Sequence, residues 1–139
     1  YKNIYIIPKI TKFMKAYITC PIRLSQKRWK FLPEIKKIVE QKGINPYVFE
    51  LDVEPRDIFN TDYSQLKSCD LIIADVSEPS HGVGLEIGIA YCLNIKRILL
   101  LEKGKQVTRI LQSMPETIII EYKDLEDLRN KLSSALDNF

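Results

Sequence analysis

The sequence has little of what metal or triad chemistry needs. His81 is its only histidine, so a zinc site, which draws on several His and Cys ligands, is not expected. A Ser-His-Asp arrangement would have to be built on that one imidazole. Three cysteines, Cys20, Cys69 and Cys92, are an odd number without metal or redox spacing, and they read as buried, reduced thiols of a cytoplasmic protein. No apolar run approaches the ~20 residues of a membrane span, and no signal-peptide pattern opens the chain. Concentrated basic charge is missing too: a net charge of +3 is spread along 139 residues rather than gathered in a patch. Repeats and low-complexity linkers are absent. Neither membrane nor nucleic acid is therefore expected as a partner, and no metal or other cofactor is expected.

What is present is an ordinary globular balance, 45% hydrophobic and 28% charged, in a length suited to one core. Residues 1–13 precede Met14 and are set aside as a leader or extension, leaving a single domain at 14–139. From Met14 onward, strand-like and helix-like segments alternate. Strands are expected at 15–20, 46–51, 70–76, 97–102 and 116–122, and "DLIIADV" (70–76) is a continuous apolar run of the kind buried on both faces. Helices are expected at 32–43, 61–68, 84–93, 106–114 and 125–136. Pro33 suits the first turn of the first helix and Gly43 its stop; if Gln26–Phe31 add turns upstream, Pro33 lies inside and kinks it. Thr61 is the expected cap of the second helix.

This alternation predicts an α/β fold, a doubly wound parallel sheet covered by helices on both faces. With right-handed crossovers the simplest strand order is 2-1-3-4-5, the flavodoxin-like arrangement. Ligands of such sheets bind at the carboxyl ends of the strands, where the order reverses between strands 1 and 3. The loops flanking that point are Cys20–Ser25 and Ser77–Gly84.

The second loop, "SEPSHGVG", is rich in groups suited to an anion. Gly82 and Gly84 are expected to let the backbone turn sharply and approach a ligand. The helix starting near Gly84 offers free N–H groups and a partial positive charge. Ser80 adds a hydroxyl, and Arg23 in the first loop adds a cation for bidentate contact. Glu86 conflicts with a plain phosphate cradle. It reads either as a first-turn acid complementing the helix dipole or as a reacting carboxylate. Asp62 likewise reads as a first-turn acid of its own helix, or as a second carboxylate brought to the same sheet edge. Two converging carboxylates are the equipment of glycosidic-bond cleavage. Tyr17, on the first strand, is either a core aromatic or a hydrogen-bond partner of Glu86.

Taken together, "AYITCPIR", the aspartate of "TDYSQLKSCDLIIADV" and "SEPSHGVGLEIGIA" resemble the nucleoside 2-deoxyribosyltransferase superfamily, and most its 2'-deoxynucleoside 5'-phosphate N-hydrolase branch. The resemblance implies that Glu86 attacks the anomeric carbon to form a glycosyl-enzyme. It implies that Asp62 protonates the departing base and later helps activate water, and that Tyr17 orients Glu86. Arg23 and Ser80 would hold the 5'-phosphate of a small deoxynucleotide, within a site also formed by Cys20, Pro21, Ile22, Gly82 and Gly84. The family's homodimer adds a serine from the partner subunit, for which Thr108 is the match here and Ser113 the weaker candidate.

The sequence also departs from that branch. Cys20-Pro21 stand where glycine-serine is common, which removes a serine contact to phosphate. Leu24 and Ser25 replace glycines, and Leu51 stands where a histidine is usual. Two other readings are carried. A base-exchanging transferase typically has aspartate six positions before the nucleophile, where this chain has Ser80. A non-catalytic nucleotide sensor would not need Tyr17, Asp62 and Glu86 together. A flavin protein is disfavoured, as no aromatic pair is evident beside the phosphate loop.

Overall fold

The computed structural model describes residues 13–22, 26–49 and 53–139. The leader expected at 1–13 lies outside them apart from Phe13, as do Arg23, Leu24, Ser25 and Leu51. Five strands, β1 (Lys15–Thr19), β2 (Asn45–Val48), β3 (Leu71–Asp75), β4 (Lys96–Glu102) and β5 (Thr117–Tyr122), form one parallel sheet in the order 2-1-3-4-5. The helices are α1 (Gln26–Gln41), α2 (Ile58–Lys67), α3 (His81–Cys92), α4 (Arg109–Gln112) and α5 (Leu125–Leu136).

Alternate residues of each central strand feed two separate cores, as the period-2 pleat requires. Ile18, Ile73, Ile98 and Leu100 pack beneath α1 and α5, against Leu32, Ile35, Val39, Leu128 and Leu132. Tyr17, Ile72, Ala74 and Leu99 face the other way, toward Leu66 of α2 and Val83, Ile87 and Ala90 of α3. Tyr17 is thus committed by strand periodicity to the layer that carries Asp62 and Glu86.

Helix boundaries differ from expectation in ways that matter for function. α1 does begin at Gln26 and runs through Pro33 to Gln41, and Gly43, whose φ of +72° suits glycine, turns the chain just beyond its end. α2 starts at Ile58, directly after a 3₁₀ turn at Pro55–Asp57, so Thr61 lies inside the helix and caps nothing. α3 starts at His81 with Ser80 as its cap, Oγ accepting the Val83 N–H at 3.3 Å. Gly82 and Gly84 are consequently helical residues rather than turn residues, and neither needs a positive φ. α4 is shorter than expected, with Thr108 at its cap position. Cys20 and Cys69 are buried, but Cys92 is exposed, which corrects the expectation for that thiol.

Candidate active site

An open cleft of about 670 Å³ lies at the carboxyl ends of β1 and β3, within the size range of small-molecule sites. Cys20, Pro21, Ile22, Ser80, Gly82 and Glu86, all expected at the site, line it. His81, Pro79 and Val83 line it too, a role the sequence had not suggested for them. Gly84 does not reach the lining; a Cβ there would meet nothing within 4 Å. Gly82 contributes by being small, keeping the first turn of α3 uncovered. The His81 and Gly82 amides precede the first intrahelical bond and stay open to a ligand. Ser80 still has its proton to donate, because capping uses only an acceptor lone pair.

Glu86 is the sixth residue of α3, and no acid occupies the helix's first turn. Dipole complementation fades beyond that turn, so it does not account for Glu86. Asp62, fifth in α2, is likewise outside a first turn that contains no acid. Neither carboxylate is placed to complement a helix dipole from the first turn.

Three side chains surround the Glu86 carboxylate. Thr19 donates its hydroxyl to Oε1 at 3.3 Å. Oε2 is buried without a hydrogen-bond partner among the described residues. The Tyr17 hydroxyl lies close enough to both carboxylates to favour their charged forms, yet it is not aligned as a formed hydrogen bond to either. Burial is the main cause that pushes Glu86 up from 4.5 to about 7; the Asp62 charge adds to it, while Tyr17 and Thr19 oppose it. Burial raises Asp62 as well, with Tyr17 opposing. Tyr17 is held far above the usual phenol range, first by burial and then by the Glu86 charge, so it stays a neutral donor. Glu86 is thus held protonated to about neutral pH, with the Asp62 charge beside it as one of the causes.

Asp62 and Tyr17 are not among the residues that line the cleft and are linked to it electrostatically through Glu86. Cys20 offers a neutral wall: burial, with the Asp75 charge adding, pushes its thiol up to about 12. Thr108 does not line the cleft, and its hydroxyl makes no capping bond.

The family model for nucleoside 2-deoxyribosyltransferases matches residues 16–131. The chain belongs to this family. A relative from Thermofilum pendens, provisionally named 2'-deoxynucleoside 5'-phosphate N-hydrolase 1, is 28% identical over 137 residues, covering 88% of this chain and 95% of its own. A protein of the same provisional name from Syntrophotalea carbinolica is 32% identical over 81 residues, 57% of each chain. Among solved structures, a CMP N-glycosidase of Clostridium botulinum superimposes with a TM-score of 0.68 at 24% identity, over 85% of this chain and 97% of its own. A 2-deoxyribosyltransferase of Bacillus psychrosaccharolyticus gives 0.64 at 15% identity, over 88% and 95%. At such identities the two structures establish the shared fold.

Within this family member, Thr19 is the contact that sequence reading passed over. The signal was available: two residues beyond Tyr17 on one strand, it must share Tyr17's face.

Proposed function

We propose that the protein hydrolyses the N-glycosidic bond of 2'-deoxynucleoside 5'-monophosphates, giving free base and 2-deoxyribose 5-phosphate. The observation that carries this reading is Glu86 at the cleft, with Oε2 unpartnered among the described residues and Asp62 and Tyr17 coupled to it. Glu86 attacks C1' of the sugar as the bond from C1' to the base nitrogen breaks, and Asp62 passes its proton to the departing base. The product is a glycosyl ester on Glu86. Asp62, now ionised, takes a proton from water as the water oxygen attacks C1', and Glu86 leaves as a carboxylate. Tyr17 and Thr19 hold Glu86 in orientation.

The 5'-phosphate is assigned to Ser80, the open amides of α3 and Arg23. A hydroxyl at position 80 can donate to a phosphate, which supports a nucleotide substrate over a nucleoside. Incubation with matched deoxynucleotides and deoxynucleosides, followed by assay of free base, tests this. Charge-assisted contacts contribute roughly 1.5–3 kcal/mol each, so the monophosphate should react at least about tenfold faster. Equal rates, with an added base captured as a new nucleoside, would make the protein a transferase. Binding without base release would make it a sensor.

The site is completed, on this reading, by a second copy of the chain through Thr108. The Thr108 hydroxyl makes no capping bond, whereas Ser113 Oγ donates to carbonyls of its own helix at 3.0 and 3.3 Å. Leu85 and Tyr91 of α3 and Ile110 of α4 leave apolar surface exposed on the same side of the sheet, suited to a symmetric dimer. Mixing Glu86→Ala with Thr108→Ala subunits should return part of the activity, because one composite site per mixed dimer is intact. No recovery, once subunit exchange is verified, would remove the shared site.

A further inference from the structure

Among the described residues, a dense set of charged side chains around a buried guanidinium lies at the carboxyl ends of β3, β4 and β5, beside the cleft but not in it. Its centre is Arg28, only 1% exposed. Arg28 Nη1 donates to Tyr122 Oη at 2.8 Å and Nη2 donates to Glu102. Asp75 Oδ1 lies 3.7 Å from Nε, and Glu78 Oε1 3.6 Å from Nη2. Tyr122 Oη in turn donates to Asp75 Oδ2 at 2.7 Å. Asp75 Oδ1 accepts the Ser77 N–H at 2.9 Å, and Ser77 Oγ accepts the Glu102 N–H at 2.8 Å. Lys27 and Lys105 pair with Glu102 and Glu78 at the rim.

Burying a guanidinium this way is commonly neutral or worse for stability, compared with apolar residues of similar volume. The geometry offers another use. Asp75 and Ser77 begin the segment that leads to Ser80, the cap of α3 and part of the cleft lining. Through these bonds the segment is fastened to α1, β4 and β5 together. Cys20, on the opposite lip, is near enough to be perturbed by both Asp75 and Arg28.

We propose that Arg28, Tyr122 and Asp75 act as a positioning clamp on the β3–α3 segment, holding Ser80 and the first-turn amides of α3 where the substrate phosphate docks. This rests on the phosphate reading above for its effect on substrate, but not for its effect on the segment.

Tyr122→Phe tests it, since the ring is kept and only the hydroxyl joining Arg28 to Asp75 is lost. Amide hydrogen exchange at 77–83 should quicken about tenfold, with α2 unchanged, as expected for losing roughly one buried hydrogen bond's net contribution. KM for the monophosphate should rise about fivefold with little change in kcat, while KM for the phosphate-free nucleoside stays constant. Unchanged exchange at 77–83, or an equal rise in both KM values, would overturn the clamp. If the wild-type protein itself fails to prefer the monophosphate, the phosphate reading falls, and the exchange measurement still decides whether the clamp holds the segment. Should Tyr122→Phe not fold, Ser77→Ala, which removes the acceptor for the Glu102 N–H and a hydroxyl that interacts with Tyr122, carries the same expectations.

Discussion

Glu86→Gln should lose base release by about three powers of ten or more and at the same time make the folded protein more stable above neutral pH. The first effect follows from removing the attacking oxygen. The second follows from the raised value of the carboxyl. Glu86 titrates near 7 in the folded protein against an ordinary 4.5. As pH climbs through that interval the unfolded chain ionises first, so the folded state holds a proton that the unfolded state has released. Stability therefore falls across this window, and the full penalty, about 3 kcal/mol, is present above it. Glutamine has no proton to lose. Denaturant unfolding at pH 8 should show the variant more stable by about that amount, and at pH 4 nearly equal to wild type. A helix-dipole role would give the opposite sign, a variant weakened when the carboxylate is charged. Normal turnover in the variant would remove Glu86 from the chemistry.

Asp62→Asn should be nearly as severe with natural bases, a loss of about 10²–10⁴ in rate, because the departing nitrogen then receives no proton. In kcat/KM, which reports the glycosylation step, the loss should shrink for bases that leave readily as anions. Equal losses across leaving groups would assign Asp62 some role other than acid. The pH profile separates the two carboxylates further. In the wild type the reactive form holds one proton on the pair, so kcat/KM should be bell-shaped with its basic limb near pH 7, where the last proton is lost. With asparagine at position 62 and a good leaving group, that basic limb should vanish. The remaining limb then belongs to Glu86 alone and should lie below its wild-type value of about 7, since Glu86 no longer ionises beside the Asp62 charge.

The sheet and its order were legible because long-range topology is narrowly constrained once strands and helices alternate. The two helix starts that frame the site were less so. "HGVG" looked like a turn because glycine usually marks one. Capping by Ser80 and the packing of Val83, Ile87 and Ala90 carry the helix through it. Pro55 opens a 3₁₀ turn that lets α2 begin before Thr61. These shifts move Glu86 and Asp62 out of their first turns, and so away from the dipole reading that the sequence had left open. The Arg28 clamp had no local signature at all. Its bonds join residues 47 and 94 positions apart, and only the folded sheet brings them together.

The covalent step through Glu86 is the centre of the account, and the Asp62→Asn protein can expose it. A 2'-deoxynucleoside 5'-monophosphate carrying a readily departing base should still glycosylate that variant, while the water step, deprived of its base, stalls. Intact-mass measurement after brief incubation, with peptide mapping, should find 2-deoxyribose 5-phosphate esterified to Glu86 in step with the burst of free base. Release of base by the same protein through many turnovers, with no adduct at any time, would contradict the glycosyl-enzyme and point to direct attack by water.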